Sequence, residues 1–281
     1  MLKTTLLTAL ALLAFAGNSV LCRLALTDNV IDAASFTSIR LFSGSILLVF
    51  LMAIKSKKHL DMTRGSWLSA CFLYLYAIAF SYSYITLETG VGALVLFGSV
   101  QVTMIVVSLL KGKKLILVEW AGLLLAFGGL TTLLLPGTSA PSPIGFALMA
   151  ISGIAWGFYT LAGRGSEKPL IDTTNNFLRT LPFVAITILF TFNDTQISNR
   201  GVILAIVSGA ITSGLGYAIW YSVLPSLKVT QAAIIQLAVP IIAAFGGVIF
   251  AHEVITTKLL ISSMLVLGGV FIVTISKQNS A

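Results

Sequence analysis

Two arginines stand where arginine is expensive. Arg40 and Arg179 each lie well inside an apolar stretch of sequence, and a cation held at hydrocarbon depth is by default a functional group. Arginine keeps its proton at any accessible pH, so neither residue can relay protons. The chemistry open to them is recognition of an anionic group such as a carboxylate. A plainer role is open too: bonding helix-end carbonyls, or snorkelling to the surface. Helical spacing sets Thr37 and Gly44 beside Arg40, and Asn175, Asn176 and Phe183 beside Arg179. For Arg23, near the end of its stretch, snorkelling suffices.

Polar and aromatic stripes accompany these cations. Asn18 follows Phe15 at helical spacing, and Tyr84 and Glu88 follow Ser81. Trp156 and Tyr159 form one stripe, Ser213, Tyr217 and Trp220 another, while Gln101 and Gln236 add amides. As a set they fit a pocket for a small amphipathic solute. Taken singly, each serves equally well as glue between helices. Pro240 predicts a hinge in its helix. No Asp or Glu falls in the middle of any apolar stretch. Titratable groups gather at the ends, where Glu88, His252 and Glu253 are the candidates for proton coupling. The alternative is facilitated diffusion without a coupled proton.

Several function classes drop out. There is no HExxH, Asp-rich run, GxGxxG or P-loop, and the histidines are His59 and His252, both near loops. Catalytic residues and metal ligands are therefore expected to be none, cofactors none, and an enzyme is not expected. Cys22 and Cys71 both fall inside apolar stretches, as small buried side chains and not a disulfide pair. The net charge of +8 does not indicate nucleic acid, because the basic residues follow the loops.

The elements that must position these groups are membrane helices. Hydrophobic residues make up 57% of the 281 and charged residues 9%, against roughly a quarter charged in soluble domains. The apolar runs are too continuous for the alternating strands of a barrel. Ten helices are expected at 4–26, 32–54, 66–86, 90–110, 115–135, 144–163, 171–192, 201–224, 229–250 and 256–276. The first imitates a signal peptide, but its apolar run continues through Leu26, so it is read as a span. Of the 17 Lys and Arg, Arg23, Arg40 and Arg179 fall within spans, and Arg200 and Lys258 fall on one side. The remaining twelve fall on the other side, which places both termini in the cytoplasm.

The chain also repeats itself. Ala14-Phe15-Ala16-Gly17 aligns with Ile154-Ala155-Trp156-Gly157, 140 positions later, and Gly128-Gly129 aligns with Gly268-Gly269. A Pro- and Gly-rich stretch, Pro136 to Pro143, separates the copies. Five spans per copy is an odd number, so the second copy enters the membrane inverted. The expected fold class is an all-α integral membrane protein with ten transmembrane helices as two inverted five-helix repeats, residues 1–136 and 144–277.

This pattern resembles the drug/metabolite transporter superfamily in its ten-helix form with two EamA domains. The resemblance rests on the duplicated units, on Phe15-Ala16-Gly17-Asn18 and Ala155-Trp156-Gly157-Phe158-Tyr159, and on Gln236, Pro240 and Glu253, which match the family's proline-then-glutamate run. The first copy departs from that run with Val100 and Lys113. The resemblance implies a central cavity lined mainly by helices 1, 3, 4, 6, 8 and 9, with helices 5 and 10 peripheral. It implies alternating-access transport, as an exporter, of small metabolites across the bacterial inner (plasma) membrane. Fixed positive charge and aromatic rings point to amino acids or related carboxylates as the small-molecule partner. A channel-like facilitator or a nucleotide-sugar or phosphate carrier is the alternative. The lipid bilayer is the other partner, and the protein is expected as a monomer or homodimer.

Overall fold

The computed structural model describes residues 2–27, 29–55, 63–112, 116–135, 140–163, 166–227 and 235–279. Among them the chain is helical, and one isolated antiparallel bridge joins Ile31 to Ile197. The helices are α1 (Leu2–Thr27), α2 (Ala33–Lys55), α3 (Trp67–Tyr84), α4 (Thr89–Leu110), α5 (Leu117–Leu134), α6 (Pro143–Ala162) and α7 (Pro169–Thr191). The chain continues through α8 (Asn199–Ile206), a π-helical segment (Val207–Leu215) and α9 (Gly216–Val223), then α10 (Ala238–Ala251) and α11 (Thr257–Asn279). Eight helical stretches are long and apolar enough to cross a bilayer, with Asn199–Val223 counted as one. Of the remaining two, α3 is interrupted by tyrosines and serines, and α10 is a shorter apolar helix.

The distribution of side chains is that of a protein dissolved in lipid. Phe42, Ile46, Phe50, Leu124 and Phe190 are exposed, while Asn18, Ser81, Thr174, Ser208 and Arg40 are buried. Apolar residues can face hydrocarbon at no cost, so the polar groups turn inward to find partners.

Two departures from the sequence expectation concern the last third. The expected span 201–224 contains a π segment of nine residues. The expected span 229–250 is described as helix only from 235, and α10 begins at Ala238; residues 228–234 lie outside the described residues. Pro240 thus sits in the first turn of α10, where its missing N–H has no intrahelical bond to lose. Several of the basic residues used for orientation, Lys57, Lys58, Lys113, Lys114, Arg164 and Lys228, also lie outside the described residues, as does the first half of the Pro136 to Pro143 linker, residues 136–139.

The helices pack in a recurring set of pairs. α6 lies against both α3 and α4; α1 lies against the π segment, α9 and α10; α2 lies against α7, α4 against α10, and α5 against α11. The α5–α11 contact is built on glycine. A Cβ on Gly122 would lie 2.6 Å from the Gly269 carbonyl oxygen, and one on Gly129 would lie 2.8 Å from Val266, so these backbones touch.

α2 and α7 are tied at both ends. At one end Asp32 accepts from Ser35 N–H at 2.8 Å as a helix cap and from Gln196 N–H at 3.0 Å, and Asp32 N–H donates to the Gln196 carbonyl at 2.9 Å. At the other end the α2–α3 connection is held onto α7. Arg64 pairs with Asp172 at 3.0 Å, and Asn175 and Arg179 both donate to the Arg64 carbonyl, at 3.1 and 2.7 Å.

Candidate functional site

The buried polar groups converge on Arg40. This arginine is 1% exposed, in the second turn of α2. Its Nε donates to Ser213 Oγ at 3.2 Å and its Nη2 to the Tyr76 hydroxyl at 2.9 Å. Nη1 has no hydrogen-bond partner. The guanidinium lies over the rings of Tyr76 and Phe80, at 5.2 and 5.0 Å from their centroids, where the negative ring faces attract it. No carboxylate reaches it: the ion pairs among the described residues are Arg23–Glu253 and Arg64–Asp172.

Asn18, on α1, completes the network. Its Nδ2 donates to the Tyr76 hydroxyl at 3.2 Å, and its Oδ1 accepts from Ser208 at 2.6 Å and Thr212 at 3.4 Å. Ser208, Thr212 and Ser213 all come from the π segment. Its wider turns and the close approach of Gly209 to α2 deliver three hydroxyls to one place. A Cβ on Gly209 would collide with the Arg40 carbonyl.

An aromatic wall faces this network. Trp156 packs on Tyr76, Tyr217 and Tyr159 at centroid distances of 4.7, 5.0 and 5.3 Å. Phe15 joins Tyr217 and Trp220 at 5.9 and 5.8 Å. Phe15, Asn18, Tyr76, Phe97, Trp156 and Tyr217 are among the residues around a central cavity. The space open to the centre of a water molecule there is about 20 Å³, room for about one water. The walls are in contact, so admitting a solute requires the helices to move.

The other expected site residues take separate places. Tyr84 is buried one layer out, edge-on to Phe80 at 4.8 Å, with its hydroxyl 3.4 Å from the Thr89 carbonyl. Trp220 and Tyr159 back the aromatic wall. Gln101 is buried one turn beyond Phe97, and its Nε2 has no partner. Gln236 is half-buried just before α10. Arg179 stands apart from the cavity, half-buried, bonded to the Arg64 carbonyl and 6.0 Å from the Trp67 ring centroid. The repeat makes Arg40 and Arg179 look equivalent, yet their surroundings differ.

Glu88, His252 and Glu253 meet at one end of the bundle. Glu253 pairs with Arg23 Nε at 3.0 Å and accepts the Thr89 N–H at 2.8 Å through Oε2, capping α4. Arg23 Nη1 also donates to the Tyr84 carbonyl at 3.0 Å. This knot joins α1, the α3–α4 connection and the end of α10. His252 is exposed and takes a left-handed backbone conformation, φ 54°, ending α10. Burial pushes the Glu88 carboxyl above the usual carboxylate range; the neighbouring Glu253 charge adds to this and Arg23 opposes it.

Tyr76, Ser208 and Thr212 are the functional candidates that the sequence did not single out. Tyr76 is one of several aromatics on α3, and nothing in its spacing marks it as the shared partner of Arg40 and Asn18.

Comparison with known proteins gives this arrangement a family. The family model described as the EamA-like transporter family matches residues 143–275. An uncharacterised protein of Pseudomonas aeruginosa is 48% identical over 279 residues, covering 99% of this chain and 97% of that protein. The chain belongs to the EamA-like transporter family. More distant relatives of this transporter are an uncharacterised transporter of Archaeoglobus fulgidus, 23% identical over 82% of this chain and 84% of that protein, and one of Bacillus subtilis, 19% identical over 85% and 86%. The crystal structure of another protein superposes with a TM-score of 0.67 at 16% identity, covering 98% of each chain, and so shares the fold. The transporter is a multi-pass membrane protein acting on small molecules within the bilayer.

Proposed function

We propose that this transporter is a secondary carrier exporting small carboxylates, amino acids or closely related acids, by alternating access. The observation that carries the reading is the Arg40 guanidinium. It is buried, has no carboxylate counter-ion among the described residues, keeps one Nη without a partner and lies over Tyr76 and Phe80, two rings of the cavity wall. A buried cation of this kind is costly unless an anion completes it. Asn18, Tyr217, Trp156 and, through its wall, Tyr159 and Trp220 complete the proposed solute site. Tyr84, Gln101, Gln236 and Arg179 are kept as contacts made when the helices rearrange.

The proposed frame is ten spans in two inverted repeats, 1–136 and 144–277. Its support is the pairing of helices. Exchange each span for the one five later, and α1 on α10 becomes α6 on α4, while α1 on the π segment becomes α6 on α3. The pairs α2–α7, α4–α10 and α5–α11 map onto themselves. Inverted repeats of this kind can open one site to either side in turn. The distribution of Lys and Arg supports cytoplasmic termini in a bacterial inner membrane, and the direction of export rests on the family likeness. Glu88, His252 and Glu253 are the proposed proton-coupling groups at the outer closure, and Pro240 at the base of α10 is the proposed hinge. Monomer or homodimer, each chain contains a whole site.

The test is counterflow in liposomes holding the purified protein. Saturable exchange of labelled carboxylates is expected, lost in Arg40→Gln. No saturable flux with a broad panel of amino acids and carboxylates overturns the carrier reading; flux that never saturates points to a channel.

A further inference from the structure

The charges around Arg40 narrow the solute further, resting on the carboxylate reading above. The described acidic residues are Asp32, Glu88, Glu119, Glu167, Asp172, Asp194 and Glu253, and each lies in a connection, a short 3₁₀ turn or the first turn of a helix. None lines the central cavity; Arg40 stands behind its wall, bonded to the Tyr76 hydroxyl and lying over the Tyr76 and Phe80 rings that line it. Among the described residues the site therefore has a fixed positive charge against its wall and no negative one. A monoanion makes the closed site neutral. A zwitterion leaves it with one net positive charge in a low-dielectric interior, and its ammonium must share the space with a guanidinium.

The two acceptors nearest Arg40 are already engaged. The Asn18 oxygen already accepts from Ser208 and Thr212, and the Tyr76 oxygen from Asn18 and Arg40. The ring faces of Tyr76 and Phe80 already carry the Arg40 guanidinium. The rest of the lining is mostly apolar, Phe15, Leu96, Phe97 and Trp156, with the hydroxyls of Thr212 and Tyr217.

We propose that the Arg40 site selects monocarboxylates with an apolar, preferably aromatic body and no ammonium group, such as 2-oxo acids, and discriminates against the corresponding amino acids. The carboxylate takes Nη1 of Arg40, and the body lies against Trp156 and Phe97. Asn18 sets the selectivity by adding polarity without charge.

Matched solutes test this. Phenylpyruvate, phenylalanine and phenethylamine share a ring and differ in charge. Binding to the full purified chain is read by calorimetry, and competition by liposome counterflow. Phenylpyruvate is expected to bind at least tenfold more tightly than phenylalanine, with no binding of the amine. Arg40→Gln should abolish phenylpyruvate binding and Arg40→Lys should retain part of it. Asn18→Asp keeps the shape and the Ser208 and Thr212 contacts, with the Tyr76 hydroxyl donating to the new carboxylate. It should weaken phenylpyruvate at least tenfold and move the preference toward phenylalanine. Phenylalanine binding as well as phenylpyruvate in the wild type overturns this inference and leaves the carboxylate carrier standing. An Asn18→Asp protein that folds, by gel filtration and circular dichroism, but keeps the wild-type preference also overturns it. If the amine binds best, or neither acid binds, the carboxylate reading falls and this inference with it.

Discussion

Glu253 makes two kinds of contact with one carboxylate. It neutralises Arg23 and caps α4 through the Thr89 N–H, so a single side chain holds three elements at one end of the bundle. Glu253→Gln keeps the acceptor for Thr89 but removes the charge. It should lower stability by about 1 to 3 kcal/mol, less than a fully buried pair would lose because both side chains are partly exposed; thermal unfolding in detergent reads this. Glu88, beside it, predicts a pH effect of definite sign. Its carboxyl is raised in the folded protein, by burial first and by Glu253 second. Its contribution to stability is therefore fully present below the ordinary carboxylate range and is lost as pH rises through the raised value. Melting temperature against pH should fall more steeply across that window in the wild type than in Glu88→Gln; identical profiles would remove the argument. At this scale the sequence was uneven. Arg40 was legible because a cation in an apolar run is costly wherever it points. Tyr76 was not, since its importance comes from two partners 36 and 58 positions away. Glu253 was legible as an end-located acid, but its partners, Arg23 and Thr89, were not.

Helices were more readable than their internal geometry. Long apolar runs located the helices to within a few residues, except the ninth, expected from 229 and beginning as α10 at Ala238, because hydrocarbon enforces both helicity and length. Hydropathy carries no signal for the π segment, which depends on how Gly209 packs against the Arg40 carbonyl. Ser213 was visible on a stripe with Tyr217, whereas Ser208 and Thr212 reach the site only through the π geometry. Gly209→Ala must push α2 and the π segment apart. Counterflow should fall at least tenfold while the protein still folds, since the misplacement acts on Arg40 and its partners. The α5–α11 crossing makes a contrasting case. Gly122→Ala places a methyl against the Gly269 carbonyl, and overpacking of this kind costs about 1 to 3 kcal/mol. Thermal stability should drop by that amount with the solute preference unchanged, because these helices stand away from Arg40.

For the molecule as a whole, the alternation of connections is the checkable property. Thr63 and Thr195 are exposed, the first in the α2–α3 connection and the second in the α7–α8 connection. In a chain with Cys22 and Cys71 replaced by alanine, Thr63→Cys should react with a membrane-impermeant thiol reagent only from the cytoplasmic side, and Thr195→Cys only from outside. Labelling from the same side would dismantle the ten-span frame. The clasp of α2 to α7 at both ends predicts that this pair acts as the stator against which the other helices move. Covalent stapling across the stator, with Asp32→Cys and Gln196→Cys, should spare turnover. The same staple placed between positions 23 and 253 should arrest it.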